Sequence, residues 1–368
     1  MSATRLSSRA LRMATAPRAA MTTRAATLTY PPSAVRSLTI SYPRFKSDAV
    51  KETVIPVSVY DPASKTSGAV HKTIPVKPED RQISGPAVPA TNEMDNLSLL
   101  SDEAYEKLPA TVKSMTVKDK VFVITGGARG LGNYMARACA EAGAKAIALF
   151  DANQDLGDAS AAELHKKTGL PVTFFKVDVR DQGAINAAVQ SVCDLYGAPD
   201  VLVNSAGIAD SNIPAETYDA AMFRRLIDIN LTGSFLMSQA VGRAMITAGK
   251  RGSIILVASM SGTVVNYPQE QSCYNASKAG VAQLGKSLAA EWAKYNIRVN
   301  MISPGYMDTA LNKVPALDAQ KKIWTSLTPQ VRLGNVDELN GLCVFLASDS
   351  SSFMTGANCL IDGGYSLY

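Results

Sequence analysis

Histidine is nearly missing from this 368-residue chain, which holds only His71 and His165. That scarcity argues against a histidine general base and almost every zinc site. Five cysteines, Cys139, Cys193, Cys273, Cys343 and Cys359, stand far apart with no Cys-x-x-Cys pair. They form no disulfide framework or metal knuckle and read as reduced, buried or half-buried thiols. No run of about 18 consecutive apolar residues occurs, so the sequence offers no membrane span. Acids are absent from residues 1–47, which carry seven Arg and one Lys. The net charge of +5 therefore hides a remainder with three more acids than bases, and the folded part has no basic footprint for nucleic acid.

What is present divides the chain in three. In "TRLSSRALRMAT", Arg5, Arg9 and Arg12 share one helical face and Leu6, Ala10 and Met13 another. Residues 1–45 thus have the composition of a mitochondrial transit peptide, and "VRSLTISYPRF" resembles a two-step processing site after Ser37 and then Phe45. The expected location is the mitochondrial matrix; the alternative is a basic tail on a cytoplasmic protein. Residues 46–115 contain seven prolines and little periodicity, which predicts a linker or an arm draped over the domain, with one short helix in "NLSLLSDEAYEKLPATVKSM".

From residue 116 the chain reads as one domain. Short apolar runs, "KVFVITG", "KAIALFD", "VTFFKVD", "DVLVNSAG", "GSIILVAS", "RVNMIS" and "NCLID", alternate with helical stretches at 154–168, 181–196, 217–248 and 274–295. Near-continuous apolar strands alternating with helices predict an α/β fold, a single doubly wound Rossmann-type domain with a seven-stranded parallel sheet.

The first strand runs into "TGGARGLG", residues 125–132, where Gly126, Gly130 and Gly132 allow a sharp turn, close approach of a pyrophosphate and tight helix–strand packing. Asp151 closes the second strand, 19 residues beyond Gly132, where a carboxylate would bind a ribose diol. Its competing role is the N-cap of the next helix, which Asn153 could fill instead. Arg129 could attract a 2′-phosphate, but a phosphate beside Asp151 would set like charges in contact. These residues predict NAD(H) over NADP(H). Tyr274 lies one helical turn before Lys278 in "YNASK". A phenol that titrates near 10 needs a shift of roughly three units, about 4 kcal/mol, to work near neutrality.

"TGGARGLG", "NSAG" (204–207), "IDINLTG" (227–233), "VASMSG" (257–262), "YNASK" (274–278) and "SPGYMDT" (303–309) occur in chain order. Together they resemble the short-chain dehydrogenase/reductase family across residues 119–364. The resemblance implies that Tyr274 is the general acid/base and that Lys278 binds the nicotinamide ribose and depresses the tyrosine's pKa. It implies that Ser259 polarises the carbonyl, with Ser261 the competing hydroxyl, and that Asn230 supports a proton-relay water. It places the Leu131 N–H on the phosphates, Asp178 and Val179 around the adenine, and Asn204, Ala206 and Gly207 along the cofactor cleft. Pro304, Met307 and Thr309 fall where the family holds the carboxamide end. Ser205 stands where asparagine is commoner and is expected to weaken a strand-bridging hydrogen bond.

Within the family, "NYPQEQSCYNASKAG" and "TGANCLIDGGYS" look most like fungal polyol dehydrogenases and ketose reductases of the D-arabinitol 2-dehydrogenase type. Residues 306–332, with Asn312 and Trp324, are expected to form a lid, and Asn266, Gln269 and Asn312 to meet sugar hydroxyls. The resemblance implies a small-molecule substrate and a homodimer or homotetramer. The alternatives are a mitochondrial 3-oxoacyl-carrier-protein reductase and, against the intact set Asn230, Ser259, Tyr274 and Lys278, a non-catalytic dinucleotide-binding protein.

Overall fold

The computed structural model describes residues 53–59, 70–76, 97–210, 212–309 and 317–368. The targeting-like segment and Asn312 lie outside the described residues. In the Pro-rich stretch, strands β1 (Thr53–Val59) and β2 (Val70–Val76) pair antiparallel, with Thr53 opposite Val76 and Val59 opposite Val70. The sequence reading, a linker or an arm, did not include this hairpin. Its Pro56 and Pro75 are tolerated because each strand of a two-stranded ribbon has a free edge. Two short helices, α1 (Asp102–Glu106) and α2 (Ala110–Ser114), follow where one was expected; Ser101 caps the first by accepting the Ala104 N–H at 3.1 Å. Leu97 and Leu99 pack on the apolar core, and the Leu100 N–H donates to the Glu141 carbonyl at 3.2 Å, so this end of the arm lies on the domain.

Seven parallel strands then form one sheet: β3 (Val121–Thr125), β4 (Ala146–Asp151), β5 (Val172–Lys176), β6 (Val201–Asn204), β7 (Gly252–Val257), β8 (Ile297–Pro304) and β9 (Asn358–Ile361). Their order across the sheet is β5-β4-β3-β6-β7-β8-β9. Helices α3 (Gly130–Glu141) and α4 (Gln154–Thr168), with α10 (Asn340–Ala347), cover one face. Helices α5 (Gln182–Tyr196), α7 (Gly233–Thr247) and α8 (Ser272–Trp292) cover the other. Alternation along β3 explains the unbroken apolar runs. Val121 and Val123 enter the core under α5, α7 and α8, while Phe122 and Ile124 enter the core under α3, α4 and α10.

The chain reverses direction across the sheet between β3 and β6, and this switch point opens a crevice at the carboxyl ends of the strands. The helical stretch expected at 217–248 is α6 (Ala220–Ile227) and α7, joined by a π-turn at Asp228–Thr232 that buries Asn230. The helix α9 (Asp318–Leu327) follows β8. Among the described residues, no helix is long and apolar enough to cross a membrane, and no cluster of three His, Cys, Asp or Glu could hold a metal ion.

Candidate active site

The glycine loop leaves β3 and enters α3 through two left-handed residues, Gly126 at φ +63° and Gly130 at φ +62°. A Cβ at Gly126 would meet the Ala206 backbone at 3.1 Å, and one at Gly132 would stand 2.5 Å from the Gly126 carbonyl oxygen. Only glycine permits this close packing of loop, helix and neighbouring strand. Arg129, the exposed N-cap of α3, makes no side-chain cap, so side chains leave the first N–H groups, including that of Leu131, to a ligand. Asn133, which the sequence reading missed, braces the loop: its Nδ2 donates to the Gly127 carbonyl at 3.1 Å. This N–H-rich cradle, open to the crevice, fits a dinucleotide pyrophosphate.

Asp151 ends β4 facing the loop. Its Oδ2 accepts the Ala128 N–H at 3.3 Å and its Oδ1 the Asn153 N–H at 3.0 Å. Asn153, not Asp151, caps α4, accepting the Leu156 N–H at 3.0 Å. Asp178 lies after β5, held below the usual carboxylate range by its hydrogen bond with Arg180. Val179 beside it is buried against Gly233, where a Cβ would come within 2.7 Å of its Cγ2.

Asn204, at the end of β6, is fully engaged. Its Nδ2 donates to the Ser234 carbonyl at 2.9 Å, and its Oδ1 accepts the Thr125 hydroxyl at 3.0 Å. That same Thr125 oxygen accepts the N–H groups of Ser205 and Ala206, each at 3.0 Å. Thr125 and Asn204 therefore bridge the strands, and Ser205 takes part through its backbone.

Four more expected residues meet beyond β6 and β7. Asn230 is buried; its Oδ1 accepts the Ile208 N–H at 2.9 Å, and its Nδ2 donates to the Ile208 carbonyl at 2.9 Å and to Ser277 Oγ at 3.1 Å. A Cβ on Gly207 would lie 3.2 Å from Asn230 Oδ1 and 3.6 Å from Lys278 Nζ, which puts the three side by side. Lys278 is 6% exposed, donates to the Val257 carbonyl at 2.8 Å and lies 5.7 Å from the centre of the Tyr274 ring. Burial lowers its pKa to about 8. Burial holds the Tyr274 hydroxyl above its usual pKa, against a smaller opposing pull from the nearby Ser259 hydroxyl. The Lys278 ammonium lies over the Tyr274 ring, and burial opposes the phenolate.

Ser259 turns out of β7 as the N-cap of a short helical turn, and Ser261 is not a rival hydroxyl but its hydrogen-bond partner, at 3.1 Å. After β8, Pro304 is buried, and Met307 points its side chain into the core against Gly334, leaving only its backbone to face the crevice. Thr309 is half-buried, its N–H donating to the Met307 carbonyl at 2.8 Å. Tyr306 lies flat on Trp324 of α9, ring centres 4.2 Å apart and planes 6° apart, and Trp324 is 2% exposed. Tyr306 accepts from Asn266 Nδ2 at 2.9 Å and donates to Gln269 Oε1 at 2.5 Å. Two of the polar side chains expected to meet hydroxyls, Asn266 and Gln269, are therefore gathered on Tyr306.

Known proteins resemble this chain in sequence and in fold. A family model described as enoyl-(acyl carrier protein) reductase matches residues 126–366. The chain is 39% identical over 272 residues to a D-arabinitol 2-dehydrogenase (ribulose-forming) of Scheffersomyces stipitis, covering 70% of this chain and 97% of the relative. It is 40% identical over 253 residues to an NADP-dependent mannitol dehydrogenase of Alternaria alternata, covering 68% of this chain and 93% of the relative. The crystal structure of a short-chain type dehydrogenase/reductase from Mycobacterium marinum superposes with a TM-score of 0.67 at 36% identity, over 70% of this chain and all of that one. The family model's description and the relatives' names differ. A match along nearly the whole of a relative includes its substrate loops, which a family-wide model averages. The relatives are named for sugar alcohols, and they give no support to the carrier-protein reductase alternative.

Proposed function

This chain belongs to the short-chain dehydrogenase/reductase family, and on that premise we propose that it interconverts a polyol and its ketose with a nicotinamide dinucleotide, through Tyr274, Lys278, Ser259 and Asn230. The observation that carries the reading is the meeting of Tyr274, with the Ser259 hydroxyl nearby, a buried Lys278 beside its ring and an anchored Asn230 at the crevice that begins with the glycine loop. The bound nicotinamide supplies or accepts the hydride. Gly126, Gly130, Leu131 and Gly132 hold the phosphates, with Arg129 at the rim. Asp178 and Val179 frame the adenine, Asn204, Ala206 and Gly207 line the cleft, and Pro304, Met307 and Thr309 hold the carboxamide end through backbone and hydroxyl.

In the reducing direction Ser259 donates to the carbonyl oxygen, and Tyr274 passes its proton to that oxygen as the alcohol forms. Oxidation reverses the transfer, with Tyr274 as base. Lys278 supplies positive charge beside the phenolate, to which a bound oxidised nicotinamide would add its own. Asn230 fixes the turn that faces Lys278, the place for a proton-relay water.

NAD(H) is the favoured cofactor, because Asp151 turns its carboxylate toward the glycine loop. Arg129 and the NADP-dependent mannitol dehydrogenase relative favour NADP(H) as the second reading. The N-terminal segment directs import into the mitochondrial matrix, which N-terminal sequencing of the native protein tests. The protein assembles as a homodimer or homotetramer, a state that sedimentation measures. A substrate panel with both cofactors tests the main reading. A ketopentose or ketohexose should outperform a plain aliphatic ketone by a factor of about 10⁴, because buried groups built for hydroxyls are left unpaired by analogues that lack them. Clear preference for an acetoacetyl thioester overturns the polyol assignment.

A further inference from the structure

Gln271 stands immediately before α8, in the N-cap position, yet its side chain does not cap the helix. It is 6% exposed and turns inward, where its Nε2 faces three acceptors: Asn266 Oδ1 at 2.7 Å, Asn275 Oδ1 at 2.9 Å and Ser261 Oγ at 3.4 Å. An amide nitrogen carries two hydrogens, so one acceptor is always underserved. At these distances it is Ser261, whose oxygen instead accepts from Ser259 at 3.1 Å. Ser259 in turn accepts the Ser261 N–H at 3.1 Å.

In this arrangement the hydroxyl hydrogen of Ser259 is parked on Ser261. To polarise a carbonyl it must turn to the substrate, and that would leave the buried Ser261 oxygen without its donor. A buried acceptor stripped of its partner resists such a move. We propose that Gln271 is a positioning residue for Ser259: its amide moves onto Ser261 as Ser259 swings to the carbonyl. The Ser261 hydroxyl then reverses and donates to Ser259. Ser261 and Ser259 each keep a donor, the acceptor given up is Oδ1 of the half-buried Asn275 rather than that of the buried Asn266, and the Ser259 hydrogen is aimed outward. No bond other than hydrogen bonds forms or breaks, and every member (Gln271, Ser261, Ser259) is neutral, so the relay orients a hydroxyl without supplying a proton. The inference rests on the role given to Ser259 in the proposed reaction, and not on the identity of the sugar.

The test uses the full-length protein with Gln271→Met, which keeps the length of the side chain and removes the donor, with Ser261→Ala, and with the double variant. Each is assayed with D-ribulose and with 2,3-butanedione, a reactive carbonyl without hydroxyls, alongside NADH affinity by fluorescence titration. Both single variants should lose about tenfold to a hundredfold in kcat with both substrates, the size of effect that a misplaced group gives at a distance. KM and NADH affinity should stay near wild type, and the double variant should be no slower than the worse single one, since Gln271 acts through Ser261. Losses that multiply in the double variant, or a change confined to the KM for ribulose, would overturn the relay; the latter result makes Gln271 a substrate contact. A wild type that reduces butanedione and ignores ribulose, while Gln271→Met slows the former, sinks the polyol reading and leaves the relay standing.

Discussion

The two halves of the crevice work by different means. On the β3–β5 side, binding groups are mostly backbone: a loop held by Gly126, Gly130 and Gly132, the open N-terminus of α3, and two carboxylates, Asp151 and Asp178. On the β6–β8 side, they are side chains locked to one another: Asn230 on Ile208, Lys278 on Val257, Ser259 on Ser261, and Tyr306 between Asn266, Gln269 and Trp324. The first half tolerates exchange wherever the backbone path survives. The second depends on particular atoms, so small substitutions there should change rate before they change binding.

The largest effect that separates the halves is expected from Lys278. Burial sets its pKa near 8 against an ordinary 10.5. Between those two values the unfolded chain holds the proton and the folded one does not, so this group's contribution to stability rises with pH through that window and is lowest below pH 8. Lys278→Met should therefore reduce turnover by about 10³ or more. It should also stabilise the cofactor-free protein at pH 7 by about 2 kcal/mol, net of the carbonyl of Val257 left unbonded. Denaturant titration and steady-state kinetics check both; an unchanged or lowered stability at pH 7 contradicts the burial argument.

On the other side, Gly132→Ala places a Cβ 2.5 Å from the Gly126 carbonyl oxygen. The loop must shift, at about 1–3 kcal/mol of stability, the usual range for overpacking. NADH affinity should fall more than kcat at saturating cofactor. The smallest effect is expected from Asp151→Ala, which should narrow or reverse NADH preference by about tenfold, one lost hydrogen bond to a ribose hydroxyl. Wild-type preference for NADPH would mean that Arg129 governs the choice.

Legibility in the sequence follows the same division. The seven strands and α4 could be read from apolar runs and stop signals because both sheet faces are covered, and the glycine loop could be read because its backbone admits few residues. The π-turn at Asn230 was invisible, since no local signal distinguishes it from a continuous helix. Thr125 as strand bridge, Ser261 as partner of Ser259 and the inward turn of Gln271 were missed because each bond joins residues whose proximity only the folded chain creates, such as Thr125 and Asn204. The hairpin β1–β2 was hidden by its prolines, which exclude a central strand but not a ribbon edge.

The most direct test of the whole account is Tyr274→Phe, which removes one oxygen and keeps the ring beside Lys278. Turnover of D-ribulose with the preferred cofactor should fall by about 10³ or more, the scale of a lost general acid, while affinity for that cofactor changes by less than about threefold. Turnover within a few-fold of wild type would contradict the account, because another acid at the crevice, of which Lys278 is the nearest, would then be serving the carbonyl in place of Tyr274.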